Sequence, residues 1–155
     1  MDLIYDFFSV SLNWGDYVFS RFFILFISLF FSILFLQSGI DKLISFQGNL
    51  NYFQDHFKNT FFRNQVKYLL LVITFLECLT GGLFIYIFLA IIFAPFLTFI
   101  IQWYLFSMVL CLITLSCLFL GQRLAQDYTG AVNLGIYFLI ALLGFSLPVI
   151  FLELL

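Results

Sequence analysis

The sequence predicts an all-α membrane protein: a four-transmembrane-helix bundle with an amphipathic interfacial helix between helices 1 and 2. Three observations carry that prediction. Of 155 residues, 65% are apolar and only 9% charged, whereas soluble domains carry roughly 25% charged residues. Four apolar segments are each long enough to cross a hydrocarbon core, which takes about 20 helical residues. The polar stretch between the first two has aromatic side chains at helical spacing.

Residues 1–18, "MDLIYDFFSVSLNWGDYV", contain Asp2, Asp6 and Asp16 but no Lys or Arg, the reverse of a signal peptide's basic start. They read as an amphipathic lead-in to a single transmembrane domain over residues 19–155. The spans are expected at Phe22–Leu43, Tyr68–Ile92, Phe96–Leu120 and Ala131–Leu152. The apolar run from Tyr68 to Gln122 is too long for one crossing. Pro95, in "FAPF", is the natural hinge because its ring removes a helix donor and restricts the residue before it.

Leu50, Phe53, Phe57 and Phe61 fall at i, i+3, i+7 and i+11, with Asn51, Gln54, Asp55, Lys58 and Asn59 opposite. This pattern predicts an interfacial helix over 47–62, with Asn49 as N-cap and His56 at the border of the apolar stripe. Lys42, Lys58, Arg63, Lys67 and Arg123 flank loops one and three, against Arg21 on the other side. The positive-inside rule then puts those loops in the cytoplasm and both termini in the periplasm. In that arrangement Trp14, Tyr17, Trp103 and Tyr104 share one aromatic belt. Small residues mark the packing faces: Ser28, Ser32 and Gly39 on the first helix, Ser107, Cys111 and Thr114 on the third, Ala141 and Gly144 on the fourth.

Several functions lack their parts. A net charge of −2 gives no footing for nucleic acid. Cys78, Cys111 and Cys117 form no CxxC, and one histidine cannot build a His-based metal site. Without a haem-ligand pair or nucleotide loop, the chain is expected to hold no cofactor of its own and not to act as an independent enzyme.

Glu77 is the most informative residue, the only charge between Lys67 and Arg123. Ten residues past Lys67 on a helix is about 15 Å, close to the middle of a ~30 Å core. An ionised carboxylate facing lipid there costs about 2.5–3.5 kcal/mol. The expectation is therefore an inward-facing, protonated carboxyl, with Gln37, Thr74, Cys111 and Tyr137 as its polar neighbours and Lys42 shallower but able to snorkel either way on its long stem. Such a group either bonds helices together or serves ligand or proton binding. In "GQRLAQDYTGAVN", Arg123 and Asp127 stand i, i+4 apart and are expected to pair as a structural anchor for the fourth span.

Together, "FLQSGIDKLISF", "ECLTGG" and "GQRLAQDYTGA" resemble, in order, the pattern of the DoxX family, over roughly residues 20–145. Gly39, Lys42 and Leu43 are similar to the family's Gly-x-x-Lys-Leu signature, and Glu77, Gly81 and Gly82 to its Glu-x-x-x-Gly-Gly element. The resemblance implies a four-span protein of the bacterial inner membrane, associated with quinone-linked redox systems and often a subunit beside larger oxidoreductases. What it implies for this chain is an accessory subunit that binds quinone, lipid or other membrane subunits. Two alternatives stay open: a structural or assembly subunit of a non-redox machine, and a small proton or small-molecule carrier using Glu77.

Overall fold

A computed structural model describes the backbone of residues 2–93 and 97–153 and the side chains of residues 18–93 and 99–146. The chain forms α1 (Asp2–Ile44), α2 (Phe46–His56), a 3-10 turn (Phe61–Asn64), α3 (Val66–Phe93), α4 (Leu97–Leu124) and α5 (Tyr128–Glu153). Four stretches, Val18–Ile44, Val66–Phe93, Phe99–Leu124 and Tyr128–Ser146, are long and apolar enough to cross a membrane. This is a multi-pass integral membrane protein. The lead-in is helical from Asp2 and continuous with the first span. The hinge expected at Pro95 lies outside the described residues, between the end of α3 and the start of α4.

α1 packs most extensively on α3, α3 on α4, and α4 on α5, while α5 touches α1 more thinly. The pairs α1–α3, α3–α4 and α4–α5 each carry a polar link as well as apolar packing. Thr80 and Thr114 join α3 to α4 through their hydroxyls, 3.1 Å apart. Tyr104 donates to the Gly144 carbonyl at 2.7 Å, tying α4 to α5. Near the start of the apolar span of α1, Arg21 donates to the Ile91 carbonyl in the last turn of α3. Between these lies a core of Phe31, Phe35, Phe84, Ile87, Met108 and Leu115, all fully or almost fully buried.

The small-residue faces turn inward as expected: Ser28, Ser32, Ser107, Cys111, Thr114 and Ala141 are buried. Tyr104 departs from the sequence reading. It is wholly buried rather than part of a lipid-facing belt, because its hydroxyl finds a carbonyl exposed by the close approach at Gly144. Trp103 beside it does face outward, edge-on to Tyr86 and Phe106.

The interfacial helix is shorter than expected. α2 stops at His56, Phe57 caps it, and Phe61 is 89% exposed in the following 3-10 turn. Its apolar stripe is therefore Leu50, Phe53 and Phe57, which pack on Val66, Leu70 and Ile73 of α3. Ser45 occupies the N-cap position, and Asn49 sits one turn in, with its amide donating back to the Ser45 carbonyl at 3.1 Å.

Two glycines set the α1–α3 crossing. A Cβ on Gly39 would stand 2.7 Å from the Cys78 sulfur, and one on Gly81 would stand 2.8 Å from the Leu36 backbone nitrogen. Gly82 faces open space. Gly81→Val is expected to destabilise the detergent-solubilised protein by about 1–3 kcal/mol, since backbone cannot move aside as a side chain can. Gly82→Ala should be neutral or slightly stabilising. Unfolding of both variants in mixed micelles checks the contrast, and equal effects would mean the crossing is not tight.

Candidate functional site

The crossing also fixes a stagger between α1 and α3. Gly39 lies level with Cys78, so α1 ends about 7.5 Å beyond that level while α3 begins about 18 Å beyond it, at 1.5 Å per residue. α1 thus stops short of the end of the bundle. The space left over is roofed by α2 and bounded by the first turns of α3 and the last turns of α4.

That space is a cavity of about 460 Å³. Phe35 of α1, Phe53 and Phe57 of α2, Leu70 and Ile73 of α3 and Leu118 of α4 form its apolar wall. Leu69, Val72, Leu120 and Leu124 also line it and are exposed on the outer surface, so it opens sideways, between α3 and α4.

Its polar end is built on the carboxylate. Glu77 faces the interior as expected, 1% exposed. The expectation of a carboxyl with no cation at its depth is corrected. Lys42 Nζ lies 3.1 Å from Oε1 and 2.9 Å from Oε2, the arrangement of an ion pair. Depth counting missed it because it measured Glu77 from the start of α3 and Lys42 from the end of α1, as if both lay in one plane. Ser38, one turn before Lys42 on the same face, completes the cluster. Its hydroxyl accepts from Lys42 Nζ at 2.7 Å and donates to Glu77 Oε1 at 3.0 Å.

Of the other expected neighbours, Gln37 is exposed, turned about 100° away from Ser38 by the helical step. Thr74 is buried on the same face of α3, but its hydroxyl donates to the Leu70 carbonyl at 2.7 Å. Cys111 belongs to the central apolar core, and Cys117 is the cysteine that lines the cavity. Tyr137 lines the cavity, half-buried, with its ring near Phe30. His56, stacked on Tyr52, contributes to the roof.

Among the described residues three buried side-chain oxygens lack a hydrogen bond, Ser28 Oγ away from the cavity and two at its lining. Glu77 Oε2 lies close to Lys42 but off the hydrogen-bonding direction, and Gln122 Oε1 is buried without a partner. Both residues line the cavity. Buried polar atoms are rarely left unpaired, and such an atom in a cavity calls for a partner from outside the chain. Ser38 and Gln122 were absent from the sequence-derived site. An i, i+4 pairing of Ser38 with Lys42 was the signal available for the first.

Arg123 and Asp127 make no ion pair, which corrects that expectation. Gln126, at φ 62°, ends α4 in the left-handed region, with Asp127 N donating to the Gln122 carbonyl at 2.9 Å and Gln126 N to that of Arg123 at 3.2 Å. This reversal is a Schellman turn, and it breaks the helical register that i, i+4 pairing requires. Asp127 instead caps α5, accepting from Gly130 N at 2.9 Å, and Arg123 lies over the Tyr128 ring at 4.8 Å.

Fold and site together define a membrane protein with a laterally open internal cavity and a buried ion pair at its head. Compared with protein-family models, curated proteins and solved structures, the chain matches none.

Two outcomes test this geometry. Lys42→Met should destabilise the protein by roughly 3–5 kcal/mol, whereas Lys42→Met with Glu77→Leu should recover most of that loss, because an unmatched buried charge is what costs. A double variant no better than the single one would mean the pair's attraction itself holds the bundle. Asp127→Ala should cost about 1 kcal/mol while Asp127→Asn, an equally good N-cap, costs little. Thermal denaturation in detergent reads both, and equal loss from Ala and Asn would point to the charge rather than the cap.

Proposed function

We propose that this chain is an accessory subunit of a membrane-bound redox or respiratory complex, and that its part is to bind a lipophilic molecule, a quinone or a lipid, in the cavity beneath α2. The observation that carries this reading is the cavity itself: apolar walls, a sideways opening and the Lys42–Ser38–Glu77 cluster at one end. Ligand sites commonly measure about 300–1,000 Å³ and combine apolar lining with a few placed polar groups. The cavity's volume of about 460 Å³ falls within that range.

The redox setting rests on the resemblance to the DoxX family. Gly39, Lys42, Glu77 and Gly81, which carry that resemblance, meet at one helix crossing, as an element selected as a unit would. The placement in a bacterial inner membrane rests on the same resemblance, and the periplasmic termini on the basic loops. A proton-carrier role for Glu77 has less support, since Lys42 and Ser38 hold its carboxylate.

Purification in a gentle detergent followed by mass spectrometry tests the reading. The expected result is a co-released lipophile together with oxidoreductase subunits carrying haem or flavin. Leu118→Trp, which fills the cavity, should reduce the bound lipophile several-fold without loss of protein. A wild-type protein that releases no lipophile would sink the binding role. Co-purification with non-redox subunits alone would move the chain to the assembly alternative.

A further inference from the structure

The cavity's head has a definite chemistry. Lys42 and Glu77 carry opposite charges within 2.9 Å, so the site presents no net charge from this pair to a ligand. The ammonium's three protons are engaged by Ser38 Oγ, Glu77 Oε1 and the Ser38 carbonyl, which accept hydrogen bonds from Lys42, while Glu77 Oε2 is held by charge alone at 2.9 Å. What stays available is acceptor capacity, at Glu77 Oε2 and Gln122 Oε1, each on a buried atom. The Gln122 amide can also turn to offer its NH2.

These facts select among membrane molecules. A phosphate or sulfonate head would bring a negative charge beside Glu77, where Lys42, the one lysine or arginine among the described lining residues, is already paired. A quaternary ammonium would bring a positive charge beside Lys42 and could donate no hydrogen bond. A neutral hydroxyl satisfies an orphan acceptor and adds no charge. Lys58, Arg63, Lys67 and Arg123 do not alter this, since all four are exposed and none lines the cavity.

We propose that the cavity takes a neutral, hydroxyl-headed lipophile, its O–H donating to Glu77 Oε2, its second polar edge on Gln122, and its chain leaving between Leu69 and Val72 of α3 and Leu120 and Leu124 of α4. This rests on the cavity being a ligand site, and adds the class of ligand: a quinol or a hydroxyl-headed lipid, since a quinone's carbonyls accept hydrogen bonds and donate none.

The test uses the full chain in phosphatidylcholine nanodiscs with three diazirine-bearing hexadecyl probes: an alcohol, a sulfonate and a trimethylammonium. After illumination, labelled peptides from residues 66–77 and 115–124 are quantified by mass spectrometry, with Leu118→Trp as the filled-cavity control. The alcohol should label these peptides at least about tenfold more than either charged probe, since a buried unmatched charge is a strong device against the wrong ligand. Glu77→Gln leaves Lys42 unbalanced and should shift the preference toward the sulfonate. If either charged probe labels the wild type as strongly as the alcohol, the ligand class is wrong although the cavity still binds. If no probe labels the wild type above the Leu118→Trp control, the cavity is not a ligand site and both readings fall. Should Glu77→Gln fail to fold, the wild-type comparison of the three probes decides alone.

Discussion

The close approach of α1 to α3 is the constraint on which the rest of the structure depends. Where Gly81 meets Leu36 the two backbones come nearer than a side chain would allow, and at Gly39 a Cβ would crowd the Cys78 sulfur. In a bilayer, helices gain nothing by hiding apolar surface from each other, so such contact must come from shape and dispersion. It fixes register as well as distance. That register brings Lys42 level with Glu77 and makes α1 end short of α3, and the shortfall is the cavity. α2 follows from the same cause: its Leu50, Phe53 and Phe57 stripe has the exposed first turns of α3 to cover.

The other end of the cavity wall depends on how α4 gives way to α5. Gln126 in the left-handed region turns the chain within two residues, and Asp127 at once caps the next helix. A tight turn of this kind keeps Gly121 and Gln122 in the last turns of α4, facing inward, where both line the cavity. A longer connection would leave the position of the Gln122 amide undetermined. Local turn chemistry thus places a polar group at a site assembled mainly by a distant helix crossing.

Much of the fold was legible in the sequence because hydrophobicity and the bilayer's thickness allow few alternatives. The spans, the inward face of Glu77 and the small-residue faces of α1, α4 and α5 all follow from composition and helical spacing. Within α3 the buried positions Val66, Leu70, Thr74, Glu77, Gly81 and Phe84 recur at helical intervals, but lipid-facing residues are equally apolar, so only the polar and small ones betrayed the face. What escaped was relative depth. Counting residues from a loop gives depth along one helix, and only the crossing between two helices says which levels coincide. Gln37 therefore stands in the sequence reading where Ser38 belongs, and Lys42 stands shallower than it lies. Tyr104 and the end of α2 escaped for a related reason: each depends on a partner remote in sequence, the Gly144 carbonyl and the first turns of α3.

The buried pair is not needed to hold the register, since the glycine contacts already do so by shape. Nor is a buried ion pair an efficient source of stability, because the cost of desolvating two charges roughly cancels their attraction, and apolar residues of similar volume often serve as well or better. Charges in the membrane interior tend to mark function for that reason. Here the pair sits where an internal cavity opens to the outside, with an acceptor oxygen left over on its carboxylate. Lys42 cancels the charge that would make Glu77 untenable at that depth, and Ser38 fixes which oxygen is used up. What remains is a neutral, hydrogen-bond-accepting end to an otherwise apolar chamber, a combination that packing alone does not require and that ligand recognition does.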